Sequence, residues 1–303
     1  MSLTRKRWFI ALTGLAIIFV VLNFCAAAVV AEGALHPLLR RRATDTAALA
    51  YSIARSVNAT SEKVLIRAGD GTPLDAWWLR PAVPNGRAVM VCHGVADSAY
   101  GGLGYALLFL RNGYSVLVPE SRGHGESRGY VTYGVLEADD TVRWLSWMKS
   151  HGVAYAFGFG ESLGGAILIQ SLARGADFRA LVVESSYSSF EAVADERVAR
   201  VIPGLPARIF VKEGMLYTRL RYSVDLGNAR PDIAIRCGRV PILLIHGLSD
   251  NETSPIHSER LAKENPSYTR LWLVPGAKHT GVYATDPPAF EKRVLNEFRL
   301  TGR

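Results

Sequence analysis

Residues 154–175, AYAFGFGESLGGAILIQSLARG, set an apolar run directly against a helical pattern, with one glycine-flanked serine between them. A strand that becomes a helix within a residue leaves no room for a hairpin. The chain must instead cross over to a parallel neighbour. The same alternation recurs along the chain. RAVMVCHG, YSVLVPE, ALVVESS, PILLIHG and TRLWLVPG read as buried strands. GGLGYALLFLRNG, LEADDTVRWLSWMKSHG, SPIHSERLAKENP and DPPAFEKRVLNEFRL carry helical spacing between or after them. Continuous apolar strands alternating with helices predict an α/β fold. Its sheet is expected to be about eight-stranded, mostly parallel and covered by helices on both faces. EKVLIRA and PLDAWWLR, around Gly69-Asp70-Gly71, predict an antiparallel hairpin leading into it.

Gly-x-Ser-x-Gly occurs twice, in GHGESRGY around Ser127 and in GFGESLGG around Ser162. A nucleophilic serine of this kind needs a strand before it and a helix after it. The corner exposes its oxygen, and the helix start supplies an N–H and a positive dipole end. Ser162 meets both conditions. Ser127 does not: YSVLVPE stops at Glu120, RGHGE intervenes, and RGYVTYG is not helical. Ser127 is expected to shape a loop at the same sheet edge.

A serine hydroxyl needs a base, and the base needs an orienting carboxylate. LSDNETS follows PILLIHG and places Asp250 just beyond a strand. AKHTG follows LWLVPG and places His279 just beyond the next. In parallel sheets such positions share the carboxyl edge, where ligands bind. Glu184, ending ALVVE, is the rival to Asp250. His93 and His246 precede glycines at strand ends and read as structural, His124 as loop-shaping, and His257 as solvated on a surface helix. Asp97 reads as a pocket or capping residue, Glu161 as packing, and Trp77, Trp78, Trp144 and Trp147 as core or interface.

GESLGG, HGLSD and GAKHTG, with HGVADS and RGHGES upstream, resemble the α/β-hydrolase superfamily of serine esterases, lipases and peptidases. The resemblance covers about residues 61–300. It implies Ser162 as nucleophile, His279 as general base and acid, Asp250 as its partner, and the backbone N–H groups of Leu163 and Val95 as the oxyanion hole. It implies no metal or organic cofactor. The overall layout is similar to bacterial members tethered by one membrane helix. A peptidase of the same fold, or a tethered binding protein that keeps the fold without the chemistry, are the alternative expectations.

Net charge is +8, but Arg5–Arg7 and Arg40–Arg42 account for six of the 35 basic residues, leaving 29 against 27 acidic. The remainder is near neutral and predicts no nucleic-acid surface. Those six flank Trp8–Ala31, 24 residues without a charge, long enough to cross a hydrocarbon core of about 30 Å. Residues 1–31 are therefore expected to be an uncleaved anchor, with the catalytic domain outside, or a signal cut at AAA (26–28) or VVA (29–31). Residues 32–60 read as a connector and 61–303 as the hydrolase domain, with 188–240 as a possible small lid or membrane-facing patch. The expected partners are a small or lipid-like acyl substrate and the membrane itself. Cys92 reads as a buried thiol, with a Cys92–Cys237 bridge as the alternative.

Overall fold

The structure, a computed structural model, describes residues 3–38, 43–204 and 206–300. Arg40–Arg42 lie outside the described residues. Helix α1 spans Leu3–Leu35 and α2 spans Ala43–Ser56, so much of the expected connector is helical. The strands are β1 (Thr60–Arg67), β2 (Pro73–Arg80), β3 (Arg87–Cys92), β4 (Ser115–Pro119), β5 (Tyr155–Glu161), β6 (Leu181–Glu184), β7 (Ile242–Gly247) and β8 (Thr269–Val274). Between them lie α3 (Ala99–Arg111), α4 (Glu137–Ser150), α5 (Leu163–Leu172), α6 (Phe190–Val201), α7 (Ala207–Tyr222), α8 (Pro231–Ala234) and α9 (Ile256–Glu264). Two more helices close the chain, α10 (Val282–Thr285) and α11 (Pro287–Leu300).

Among the described residues the strands form one eight-stranded sheet in the order β1-β2-β4-β3-β5-β6-β7-β8. β1 and β2 are antiparallel, β2 meets β4 antiparallel, and every other pair is parallel. Alternation along each strand feeds two apolar layers. On β3, Val89 and Val91 face one layer with Phe109, Phe157, Phe159 and Phe298. Met90 and Cys92 face the other, with Trp144, Leu145, Leu168 and Leu261. Both faces are buried, which is why the strand runs show no polar alternation. Trp77, Trp78 and Trp144 are core residues. Cys92 is buried and free, Cys237 is exposed and free, and no bridge joins them.

A third apolar cluster sits above the carboxyl edge of the sheet. It unites Leu163 and Ile167 of α5 with Tyr133, Tyr187, Phe190, Val193 and Leu226. Residues 188–204 and 206–240 thus fold as a helical cap whose own core rests on the helix that follows Ser162. Helix α1 joins the same cap. Ala27 and Ala31 meet Gly214 of α7, and the Tyr217 and Tyr222 hydroxyls donate to Glu32. The Val131 N–H donates to the Leu35 carbonyl at 2.9 Å. Earlier along α1 the side chains of Trp8, Leu12, Ile17, Phe19 and Leu22 are exposed.

Candidate active site

Ser162 stands between β5 and α5 with φ 50° and ψ −112°. A side chain makes this region unfavourable, so surrounding contacts must hold it there. Its N–H donates to the Glu184 carbonyl at 2.8 Å, pinning the corner to β6. The corner is tight because α5 starts against β3. A Cβ at Gly164 would lie 2.2 Å from the Cys92 carbonyl oxygen, so only glycine fits.

The loops after β7 and β8 are locked together in the same way. A Cβ at Gly247 would lie 2.2 Å from the Ala277 carbonyl oxygen, and the Ser249 N–H donates to that oxygen at 2.9 Å. This contact brings Asp250 to His279: Nδ1 of His279 is 2.7 Å from Oδ2 of Asp250. The other carboxylate oxygen, Oδ1, accepts the N–H groups of Glu252 and Thr253, each at 2.9 Å. Burial by itself would raise the Asp250 carboxyl. Hydrogen bonds from His246 and His279, aided by the Thr253 N–H, overcome that and hold it well below the usual range. An ionised carboxylate only accepts, so Nδ1 of His279 carries the proton and Nε2 is left free to act as a base.

His246 has more to do than its sequence position indicated. Its Nε2 is 2.9 Å from the Thr253 carbonyl and 3.2 Å from Oδ2 of Asp250. A carbonyl can only accept, so this nitrogen is the donor and gives Asp250 a second imidazole N–H. Ser258 completes the ring at Nδ1, 2.7 Å away. The signal was present as His-Gly-Leu-Ser-Asp, but nothing in the residue types says that the imidazole turns back onto the carboxylate.

Glu184 lies elsewhere. Its Oε1 accepts the Val282 N–H at 3.0 Å, and burial raises the carboxyl to about 7. Next to it in the sheet, Glu161 accepts the Tyr105 hydroxyl at 2.6 Å. Burial and the charge of Glu184 push Glu161 up to about 8, so it is largely protonated at neutral pH.

Ser127 donates to the Glu120 carbonyl and accepts from the Asp75 N–H, both at 2.9 Å, so its oxygen holds the loop to β2. His93 accepts the Ser121 N–H at 3.1 Å, and His124 accepts the Ala96 N–H at 3.2 Å. Burial lowers these two imidazoles to about 4 and about 3, keeping them neutral acceptors. Together they shape the loop after β3. Asp97 lines the cavity and its carboxylate accepts the Ser98 N–H, while the hydroxyl of Ser98 caps α3. His257 departs from expectation: it is fully buried, not solvated. Its Nδ1 accepts the Ser188 N–H at 3.1 Å, and its Nε2 lies 3.3 Å from Glu196. The cap folds back over α9 and covers a helix face that sequence alone presents as outer.

A cavity of about 470 Å³ lies under the cap. Ser162, His279 and Val95 line it, and Asp250 stands behind His279. Among the described turn and loop hydrogen bonds, none uses the N–H of Val95 or Leu163. Much of the remaining wall is apolar and comes from three helices, with Ala27, Val30 and Ala31 of α1, Val193 of α6, and Phe210 and Met215 of α7, while Asp97, Glu161, Arg197 and Glu252 add charged side chains to it. The arrangement presents a hydroxyl and an oriented imidazole to one largely apolar chamber.

A family model described as serine aminopeptidase, S33, matches residues 84–215. The uncharacterized protein Rv2307c of Mycobacterium tuberculosis is 31% identical over 246 residues, covering 80% of this chain and 79% of that one. An uncharacterized membrane protein of Saccharomyces cerevisiae, YNL320W, is 23% identical over 229 residues, covering 74% and 75%. The structure of the Pyrococcus furiosus esterase Pf2001 superposes with a TM-score of 0.65 at 20% identity, over 82% of this chain and 95% of that one. At that identity the likeness speaks for the fold.

Proposed function

The chain belongs to the α/β-hydrolase superfamily, and on that premise we propose that it is a serine hydrolase cleaving esters, with thioesters or amides as related bonds, through an acyl-enzyme on Ser162. One observation carries the reading: Ser162 on its strained corner and His279, paired with Asp250, line the same apolar cavity.

In this reading Nε2 of His279 takes the proton as Oγ of Ser162 attacks the acyl carbonyl. The oxyanion is met by the N–H groups of Leu163 and Val95. Collapse breaks the bond to the leaving alcohol, which receives the proton from His279. Water then attacks the acyl-serine by the same base and returns the free serine and a carboxylic acid. Asp250 stays ionised throughout, steadying the imidazolium, and His246 positions Asp250. The test is labelling by a fluorophosphonate together with turnover of p-nitrophenyl butyrate. Both are expected in the native chain and neither in Ser162→Ala; a variant that still labels removes Ser162 from the mechanism.

A peptidase is the second reading, favoured by the description of the matching family model. Turnover of amino-acid nitroanilides at a rate matching the esters would move it to first place.

We also propose that α1 is retained as a membrane anchor, with Arg5–Arg7 on the inner side and the catalytic domain outside. Its support is structural: cleavage at 26–28 or 29–31 would strip Ala27 and its neighbours from the cavity wall. Mass spectrometry of the membrane fraction is expected to recover peptides N-terminal to Ala26; a protein beginning near residue 29 or 32 would overturn this.

A further inference from the structure

The cavity opens beside the helix that is apolar enough to cross a membrane. Val30 of α1 lines the cavity and is also 48% exposed, so it stands at the mouth. Two turns earlier, Leu22 begins the fully outward-facing apolar stretch that runs back to Trp8. The mouth is therefore within about 12 Å, along the helix axis, of exposed apolar side chains of the kind a bilayer covers.

The cap points the same way. Gly214 of α7 meets Ala27 and Ala31, and Tyr222, eight residues on, meets Glu32 and His36. The two helices thus run in the same direction. The first residues of α7, with Val201 and Ile202 at the end of α6, lie back toward the exposed apolar half of α1. At this tip Val201, Ile202 and Ile209 are exposed, Val201 by 77%. Basic side chains flank them: Arg200 is exposed, and Arg208 and Lys212 lie 3.9 and 4.0 Å from Glu191, with the charge of Asp195 also near. An apolar tip with a basic margin is the pattern of a segment resting in an anionic lipid interface. An exposed apolar tip in water would have no such partner.

We propose that the α6–α7 tip seats in the bilayer beside α1, and that the site takes its substrate from the membrane as an acyl ester bearing one aliphatic chain. The substrate assignment rests on the serine-hydrolase reading; the seating of the tip does not. One chain suits the cavity of about 470 Å³, which is at the smaller end for ligand sites. The chain would enter past Val30, its carbonyl would reach Ser162, and its headgroup would remain among the basic residues of the cap margin.

The test uses the full chain in phosphatidylcholine vesicles with and without phosphatidylglycerol. In a background of Cys25→Ala and Cys237→Ala, an NBD fluorophore on Ile202→Cys is expected to be quenched by doxyl lipids, more so with phosphatidylglycerol present. The same fluorophore on Asp177→Cys, at the opposite edge of the sheet, is expected to be unaffected. Absence of quenching at 202 overturns the seating, whether the tip is then bare or covered by a second copy. In the activity arm, a Val201→Asp, Ile209→Asp variant is expected to hydrolyse soluble p-nitrophenyl butyrate like the native chain. It is expected to lose about tenfold or more on palmitoyl-lysophosphatidylglycerol held in the vesicles. If the native chain cleaves the soluble ester but not the vesicle lipid, or the variant keeps its lipid turnover, the substrate assignment falls and the hydrolase reading stands. If neither ester is cleaved and Ser162 does not label, the hydrolase reading itself falls and takes the substrate assignment with it.

Discussion

Nδ1 of His279 lies 2.7 Å from Oδ2 of Asp250 across the junction of two loops, and the same oxygen is 3.2 Å from Nε2 of His246. Two imidazoles thus converge on one buried carboxylate oxygen. Only His279 continues into the cavity. Asp250→Asn would replace an obligate acceptor by an amide that can donate, and the proton on His279 would shift to Nε2, the nitrogen that the proposed mechanism uses as the base. The expected result is a fall in kcat of about 10³–10⁴ on a soluble ester with little change in KM.

His246→Leu removes one of the two N–H groups on that oxygen while leaving His279 in place. We expect a smaller loss, about tenfold in kcat, as Asp250 gains freedom. Ser258 and the Thr253 carbonyl also lose their partner, so stability is expected to fall by about 1–3 kcal/mol. A pH–rate profile separates this from simple unfolding: the limb belonging to the base is expected to move, because the negative charge opposite His279 is less firmly held. An unchanged profile would leave His246 as scaffold only.

The corner at Ser162 stores strain because a side chain occupies φ 50°, ψ −112°. Ser162→Gly releases it, and Ser162→Ala does not. Both variants are expected to be inactive, but the glycine variant is expected to unfold at higher temperature. The net gain is about 1 kcal/mol after the conformational entropy of glycine is set against the strain. Equal melting of the two variants would show that the corner is unstrained.

Glu161 gives a pH signature. Its ordinary value is 4.5 and the folded protein raises it to about 8, so between those values the native state keeps a proton that the unfolded chain has released. Stability from this group is therefore greatest below 4.5 and is lost as pH rises through 8. Glu161→Gln keeps an acceptor for the Tyr105 hydroxyl and cannot ionise. Thermal melts are expected to decline less between pH 5 and 8 in the variant than in the native chain. Glu184, raised to about 7, preserves part of the slope.

Arg122 anchors the loop that carries His124. Its guanidinium pairs with Asp140 at 2.5 Å and Asp70 at 2.6 Å, and both Arg122 and Asp140 are buried. Arg122→Met leaves Asp140 without its partner, and chemical denaturation is expected to show a loss of about 3–5 kcal/mol. Adding Asp140→Leu is expected to recover much of it; additive losses would mean that the pair is not coupled.

Much of the architecture was legible because its signals are local. Continuous apolar strands such as PILLIHG, closed by glycines and separated by amphipathic helices, leave few layered solutions other than a covered parallel sheet. Ser162 stood out from Ser127 by the same logic, since a strand and a helix must both touch the serine for its corner to form. The order of Asp250 and His279 after successive strands could also be read, because strand ends in a parallel sheet share one edge. Side-chain direction could not. His246 and His257 look like loop and surface residues in the sequence, yet one turns onto Asp250 and the other is buried under the cap. The apolar run at the N-terminus announced a membrane-length helix, but nothing in it announced that Ala27, Val30 and Ala31 would wall the cavity. Periodicity along a chain reports which face of an element is apolar. Which remote element covers that face depends on packing between segments nearly two hundred residues apart, such as Glu32 with Tyr222, and that is decided only when the chain closes on itself.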